Sequence, residues 1–260
     1  VHAVRIASVI NLKGGVGKTM GAINIAHILA EVHGKRVLLV DNDKQGSVSR
    51  FFGAHSYNAP SIADVLTTKG YNVEDAVQPW LKISPPGWLD ILPANMMLLR
   101  AEKEILLDCS RPQQTRLKRA LQSVEQMYDF AIIDCAPDLN MSAINALVAS
   151  DDVLIPIKVD SFAFDGVKQI LETVEELREF NPAIRVVGGF VTMWQKNNVN
   201  TQGEAWLQER GGLPMFETAI RKTVAVDETT FKRLPLLAHK KNSTAARDYL
   251  ALVEEYLKMC

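Results

Sequence analysis

At 260 residues, with 47% hydrophobic and 23% charged content, the chain is long enough to bury one large core, and its composition excludes disordered, collagen-like and disulfide-scaffold classes. The 29 basic and 30 acidic residues leave a formal charge of −1, which excludes a global positive field for nucleic acid, so any polyanion site is local. Cys109, Cys135 and Cys260 are scattered and form no CxxC pair, which argues against a structural zinc site and reads as buried free thiols in a reducing cytoplasm.

In chain order, Val4 to Asn11 is an apolar, β-branched run and predicts the first strand. It leads directly into a glycine loop without the features of a signal peptide, and the longest apolar runs, Val37 to Val40 and Phe130 to Ile133, fall far short of the roughly 20 residues needed to span a bilayer. Beyond the loop, Ile23, Ala26, Ile28, Leu29 and Val32 keep helical spacing, and Gly34 is placed to end that helix. Lys35 to Val40 predicts a strand, as do Leu89 to Leu92, Phe130 to Asp134, Val153 to Pro156 and Val186 to Met193. Helical patterns cover Gln114 to Gln126, Met141 to Ala149, Phe164 to Phe180 and Ser243 to Met259, the last capped by Asn242 or Ser243. Gly53 to Gly87, with four prolines, reads as an elaborated crossover and gives no domain boundary. Alternating strands and helices predict an α/β fold, a doubly wound and mostly parallel sheet with helices on both faces, in a single domain spanning 1–260.

Lys13-Gly14-Gly15-Val16-Gly17-Lys18-Thr19 lies between a predicted strand and a predicted helix, the context a phosphate-binding P-loop requires; Lys13 occupies the position of the usual first glycine. Glycines let the backbone turn its N–H groups toward a phosphate, and the following helix adds partial positive charge. Lys18 is expected to neutralise the β- and γ-phosphates of ATP, Thr19 to offer its hydroxyl to Mg²⁺, and Met20 to complete the nucleotide-binding stretch. Asp134 ends one predicted strand, and Asp41-Asn42-Asp43 follows another, so these carboxylates are expected beside the nucleotide at the C-terminal edge of the sheet.

With these residues placed, the sequence resembles the deviant-Walker ATPases of the ParA/Soj and MinD group, in KGGVGKT at 13–19, RVLLVDNDKQGSVS at 36–49 and FAIIDCAP at 130–137. Weaker echoes are GFVTMW at 189–194 and AIRKTVAVDE at 219–228. The resemblance implies that Lys13 reaches across an ATP-sandwiched homodimer to the partner's nucleotide and acts on its phosphate charge much as an arginine finger does. It assigns Asp43 to switch I, positioning the attacking water and serving the metal, and Asp134 to switch II and the magnesium shell. Lys13, Lys18 and Asp43 are thereby the expected catalytic residues. Lys44 departs from the family's usual proline after the switch I aspartate, and so from the backbone stiffness proline gives. Adenine is expected near Thr192-Met193 and Ile220 to Val224.

Between Ala219 and Arg247 seven basic residues face two acidic ones, a local excess suited to DNA phosphates without base reading. Arg221 and Lys222 match the family's basic region best, and the run Arg111 to Arg119, with four basic residues and no acidic one, is a second candidate. The C-terminal segment carries an apolar stripe of Tyr249, Leu250, Val253 and Leu257, but Glu254 and Glu255 oppose anionic lipid, so DNA is favoured over a MinD-like membrane role and no stable membrane association is expected. The first strand begins almost at once, so no separate N-terminal DNA-binding domain is expected. The resemblance implies a cytoplasmic partition ATPase, slow and stimulated by a ParB-like partner, that binds nonspecific DNA on the nucleoid as an ATP-loaded dimer. A positioning ATPase on a membrane or pole, or a non-hydrolysing adaptor, are the alternatives.

Overall fold

In the computed structural model, which describes residues 4–160, 163–210 and 212–260, strands and helices alternate from the first residues onward. The order is β1 (Arg5–Val9), α1 (Lys18–Glu31), β2 (Arg36–Asn42), α2 (Ser47–Phe52), α3 (Ile62–Thr67), β3 (Gln78–Trp80), β4 (Trp88–Leu92), α4 (Met97–Leu107), α5 (Arg116–Gln122), β5 (Phe130–Cys135) and α6 (Met141–Ala149). There follow β6 (Asp152–Lys158), α7 (Ala163–Leu177), β7 (Arg185–Thr192), α8 (Asn198–Arg210), α9 (Val224–Lys232), α10 (Leu236–Lys240) and α11 (Thr244–Met259).

The strands form one sheet in the order β3-β4-β2-β5-β1-β6-β7, parallel throughout except for β3, which pairs antiparallel with β4 at the edge. Central strands are buried on both faces, so they are continuously apolar; alternate side chains then sort into two cores. Ile6, Leu38, Val40, Ala131 and Ile133 face the layer of α3 to α7, while Ala7, Val9, Val37, Leu39 and Ile132 face α1 and α11. The expected doubly wound α/β sheet is therefore present, with a seventh strand, β3, inside the segment read as a crossover.

Two readings change. Cys135 is buried, but Cys109 and Cys260 are exposed, against the expectation of buried thiols. In α11 the buried stripe is Tyr249, Leu252, Val253 and Tyr256, and the Tyr256 hydroxyl donates to Asp152 at 2.8 Å. Leu250 and Leu257 lie at its margin, half-buried. This helix spends its apolar face on the core, and among the described residues no helix is long and apolar enough to cross a membrane.

Candidate functional site

Three neighbouring strands position the site. Because β2, β5 and β1 are adjacent and parallel, their C-terminal ends share one edge, and register places Asp134 level with Val9 on one side and Asp41 on the other. The loops that follow are the glycine loop after β1, the Asp43 loop after β2 and the Ala136 to Asn140 loop after β5.

The glycine loop is held from both sides. Asn11 accepts the Lys13 N–H at 2.9 Å and donates to the Pro156 carbonyl at 2.8 Å, while the Thr192 hydroxyl donates to the Val16 carbonyl at 2.8 Å. Gly15 and Gly17 have φ of 71° and 88°, where an L side chain is strained, which is why glycine stands at both. Gly17 begins α1 without a side-chain cap, so the first N–H groups of that helix are not taken by a capping side chain and an anion fits there. The two lysines of the loop have different surroundings. Lys18 is buried and its ammonium donates to the Lys13 carbonyl at 2.8 Å; Lys13 is partly exposed and pairs with Asp160, just beyond β6.

Asp134 is only 1% exposed, and neither carboxylate oxygen has a hydrogen-bond partner among the described residues. Burial, and next the charge of Asp41, push its carboxyl well above the usual carboxylate range, while the Thr19 hydroxyl and Lys18 act in the opposite direction. Burial lowers Lys18, and Asp134 and Asp43 pull it back up. An orphaned buried carboxylate beside a threonine hydroxyl and a half-exposed Asp43 fits a divalent cation. Among the described residues no cluster of three His, Cys, Asp or Glu is present. Asp41, by contrast, is structural: its Oδ2 accepts the Ser49 N–H at 2.8 Å and the Ser49 hydroxyl at 2.6 Å, while burial raises its pKa to about 6.

Of the segments expected near adenine, Thr192-Met193 and Ile220 to Thr223 meet beside the loop, while Val224 is exposed and does not line the cleft. Trp194 N–H donates to the Ile220 carbonyl at 2.9 Å and Lys222 N–H to the Trp194 carbonyl at 3.0 Å, forming an apolar cleft lined by Gly17, Met20, Thr192, Met193, Ile220 and Val226.

The basic candidates fare unevenly. The Arg221 guanidinium is engaged by Asp248, with Nε 2.9 Å from Oδ2, so it is not a free phosphate contact; Lys222, Lys232, Arg233, Lys240, Lys241 and Arg247 are exposed. In the second run, Arg116 is buried on Asp108 at 2.8 Å and Arg111 donates to the Leu66 and Thr67 carbonyls, so these two brace the fold, while Lys118 is half-buried and Arg119 exposed. Sequence reading missed Asn11, Asp160 and Asp248. The first two flank strand ends that the sheet order makes neighbours, and the third lies one residue beyond the stretch weighed for charge.

Such a sheet, glycine loop and acidic strand ends define a P-loop nucleotide-binding ATPase fold. An AAA domain family model matches residues 4–186. The chain is 35% identical to the sporulation initiation inhibitor protein Soj of Bacillus subtilis, covering 96% of this chain and 97% of Soj, and 32% identical to the chromosome partitioning protein ParA of Caulobacter vibrioides, covering 98% and 95%. A cobyrinic acid a,c-diamide synthase from Mycobacterium smegmatis, solved with a bound ATP analogue and magnesium, superposes with a TM-score of 0.82 at 29% identity, covering 98% of this chain and 95% of that one. The chain belongs to the ParA/Soj family of partition ATPases.

Proposed function

We propose that the chain is a Mg²⁺-dependent ATPase that segregates DNA, cycling between a monomer and an ATP-sandwiched homodimer that binds nonspecific DNA and is released when a ParB-like partner stimulates hydrolysis. The observation that carries this is the different setting of the two lysines in one loop, one buried within it and one at its partly exposed rim. Lys18, buried in the loop, would serve the chain's own phosphates; Lys13, partly exposed and paired with Asp160, would reach a second nucleotide once that pair opens. Thr19, Asp43 and Asp134 would hold the magnesium ion and its waters, and the ion supplies charge neutralisation on the phosphates when bound. Asp43 would orient the attacking water.

Phosphate loss then removes what both switches and the neighbour's Lys13 hold, so hydrolysis undoes the dimer and with it the pooled basic surface. Lys222 with the exposed cations of α9 to α11 is the proposed DNA surface, in which Arg221 has a bracing part. The apolar stripe of α11 lies in the core, which favours this reading over membrane docking through that helix.

The test is DNA binding by the wild type and Lys13→Ala without nucleotide, with ADP and with ATP, across a salt series, alongside phosphate release. Binding confined to ATP-loaded wild type and falling steeply with salt supports the proposal; hydrolysis with no DNA binding in any state overturns the DNA half of it.

A further inference from the structure

Lys44 stands where the family resemblance calls for proline, and the fold gives it a partner. Its ammonium lies 3.9 Å from Oδ2 of Asp138, so a residue of the loop after β2 meets a residue of the loop after β5. The elements that flank these loops are also joined in the interior: Asn42 Nδ2, at the end of β2, donates to the Ser142 carbonyl in the first turn of α6 at 2.9 Å. Ser142 Oγ lies 2.6 Å from Glu102 Oε1 and 2.8 Å from Asn140 Oδ1, and the Asn140 N–H donates to Asp138 at 3.1 Å. Glu102, on α4, lies close enough for the charge of Lys44 to act on it, so the ammonium faces two carboxylates from outside its own loop.

We propose that Lys44 and Asp138 form a clasp between the two switch loops, which makes Lys44 a positioning residue for hydrolysis. Proline in this place would fix one backbone dihedral beside Asp43; lysine leaves it free, and the ion pair fixes the loop from outside instead. The clasp ties the placement of Asp43 to the segment following Asp134, so the water-positioning and metal-side carboxylates move together. Asp138 also acts on Lys18 through space, and its charge beside the phosphate loop would oppose an incoming phosphate unless Lys44 balanced it. With side chains 29% and 46% exposed, the pair is screened by solvent, and its expected effect is about two- to fivefold rather than orders of magnitude.

The inference rests on the ATPase reading, and its test separates the two. Lys44→Ala and Asp138→Asn are each expected to lower kcat for ATP about two- to fivefold, with Lys44→Ala alone also raising KM, because only it leaves Asp138 unbalanced beside the phosphates. The double variant is expected to have a kcat no lower than either single one, and Lys44→Arg to retain wild-type kcat. In nucleotide-free protein, Asp138→Asn is expected to speed amide hydrogen exchange at 43–46, and Lys44→Ala at 136–141, across the gap between loops. Losses in kcat that multiply in the double variant, or exchange changes confined to the substituted loop, overturn the clasp. A wild type that releases no phosphate would count against the ATPase reading, and the exchange data would still decide the clasp.

Discussion

Lys13 and Asp160 meet across the mouth of the glycine loop, their side chains 33% and 32% exposed. The lysine that family resemblance sends to a second nucleotide is thus paired within its own chain, and reaching outward requires that pair to open. Asp160→Asn is expected to ease ATP-dependent self-association by about two- to fivefold in protein concentration, the range of a partly exposed ion pair. Lys13→Ala is expected to abolish it while nucleotide binding persists. Sedimentation with ATP and ADP checks both; self-association of Asp160→Asn no easier than wild type would show that the pair does not compete.

Asp134 is expected to weaken the nucleotide-free fold. Its folded pKa lies above the ordinary carboxylate value, so the native state takes up a proton that the unfolded chain releases. Stability from this group is therefore lost as pH rises above the carboxylate range, toward its raised folded pKa. Asp134→Asn removes the buried charge and is expected to raise the apo melting temperature by about 2–4 °C for each kcal/mol gained, while abolishing Mg²⁺-dependent hydrolysis. Thermal melts near pH 5 and pH 8, with and without Mg²⁺-ATP, test this: the variant should lose the downward slope with pH and the stabilisation by metal.

The sheet and the phosphate loop were legible in the sequence because buried parallel strands are continuously apolar and a strand, glycine loop and helix in succession admit few alternatives. The six expected strands all occur. Helix α4 escaped notice although Leu98, Ala101 and Ile105 keep helical spacing, since its exposed face carries Met97, Leu106 and Leu107 and blurs the pattern. Helix α8 is mostly polar, with Val199, Trp206 and Leu207 too few to mark an apolar stripe. In the site, Lys18, Thr19 and Asp134 stand out by local motif, whereas Asp160 and Asp138 act through contacts between loops that only the strand order brings together, and Asp248 acts from α11. Charge counting failed for Arg221 for the same reason: its partner lies 27 residues away.

Ser49 is expected to govern the stability of the loop after β2. Its hydroxyl donates to Asp41 at 2.6 Å and accepts the Ala94 N–H at 2.8 Å, all within buried surroundings. Ser49→Ala strips one bond from a buried carboxylate and orphans a buried N–H, so a loss of about 2–3 kcal/mol is expected. Urea unfolding should show a lower midpoint with an unchanged slope. The Asp41 carboxyl, raised to about 6 by burial despite this bond, should also rise further in the variant. An unchanged midpoint would mean that the loop settles without the Ser49 bridge.

Arg221 and Lys222 are adjacent in sequence and opposite in expected behaviour. Asp248 is buried and accepts both the Arg221 N–H and its guanidinium, at 2.9 Å each, so Arg221→Ala leaves a carboxylate short of its partner in a confined site. Because the Arg221 side chain is 44% exposed, solvent offsets part of that loss, and a destabilisation of about 1 kcal/mol is expected. Lys222→Ala should leave the unfolding midpoint unchanged and weaken ATP-dependent DNA binding, with the slope of log affinity against log salt falling by about 1, as for one lost phosphate contact. Measuring both variants by urea unfolding and by DNA titration across salt separates bracing from contact. If Arg221→Ala reduces the salt slope as much as Lys222→Ala and leaves the unfolding midpoint where it was, the Asp248 pair opens on DNA and both residues belong to the phosphate-binding surface.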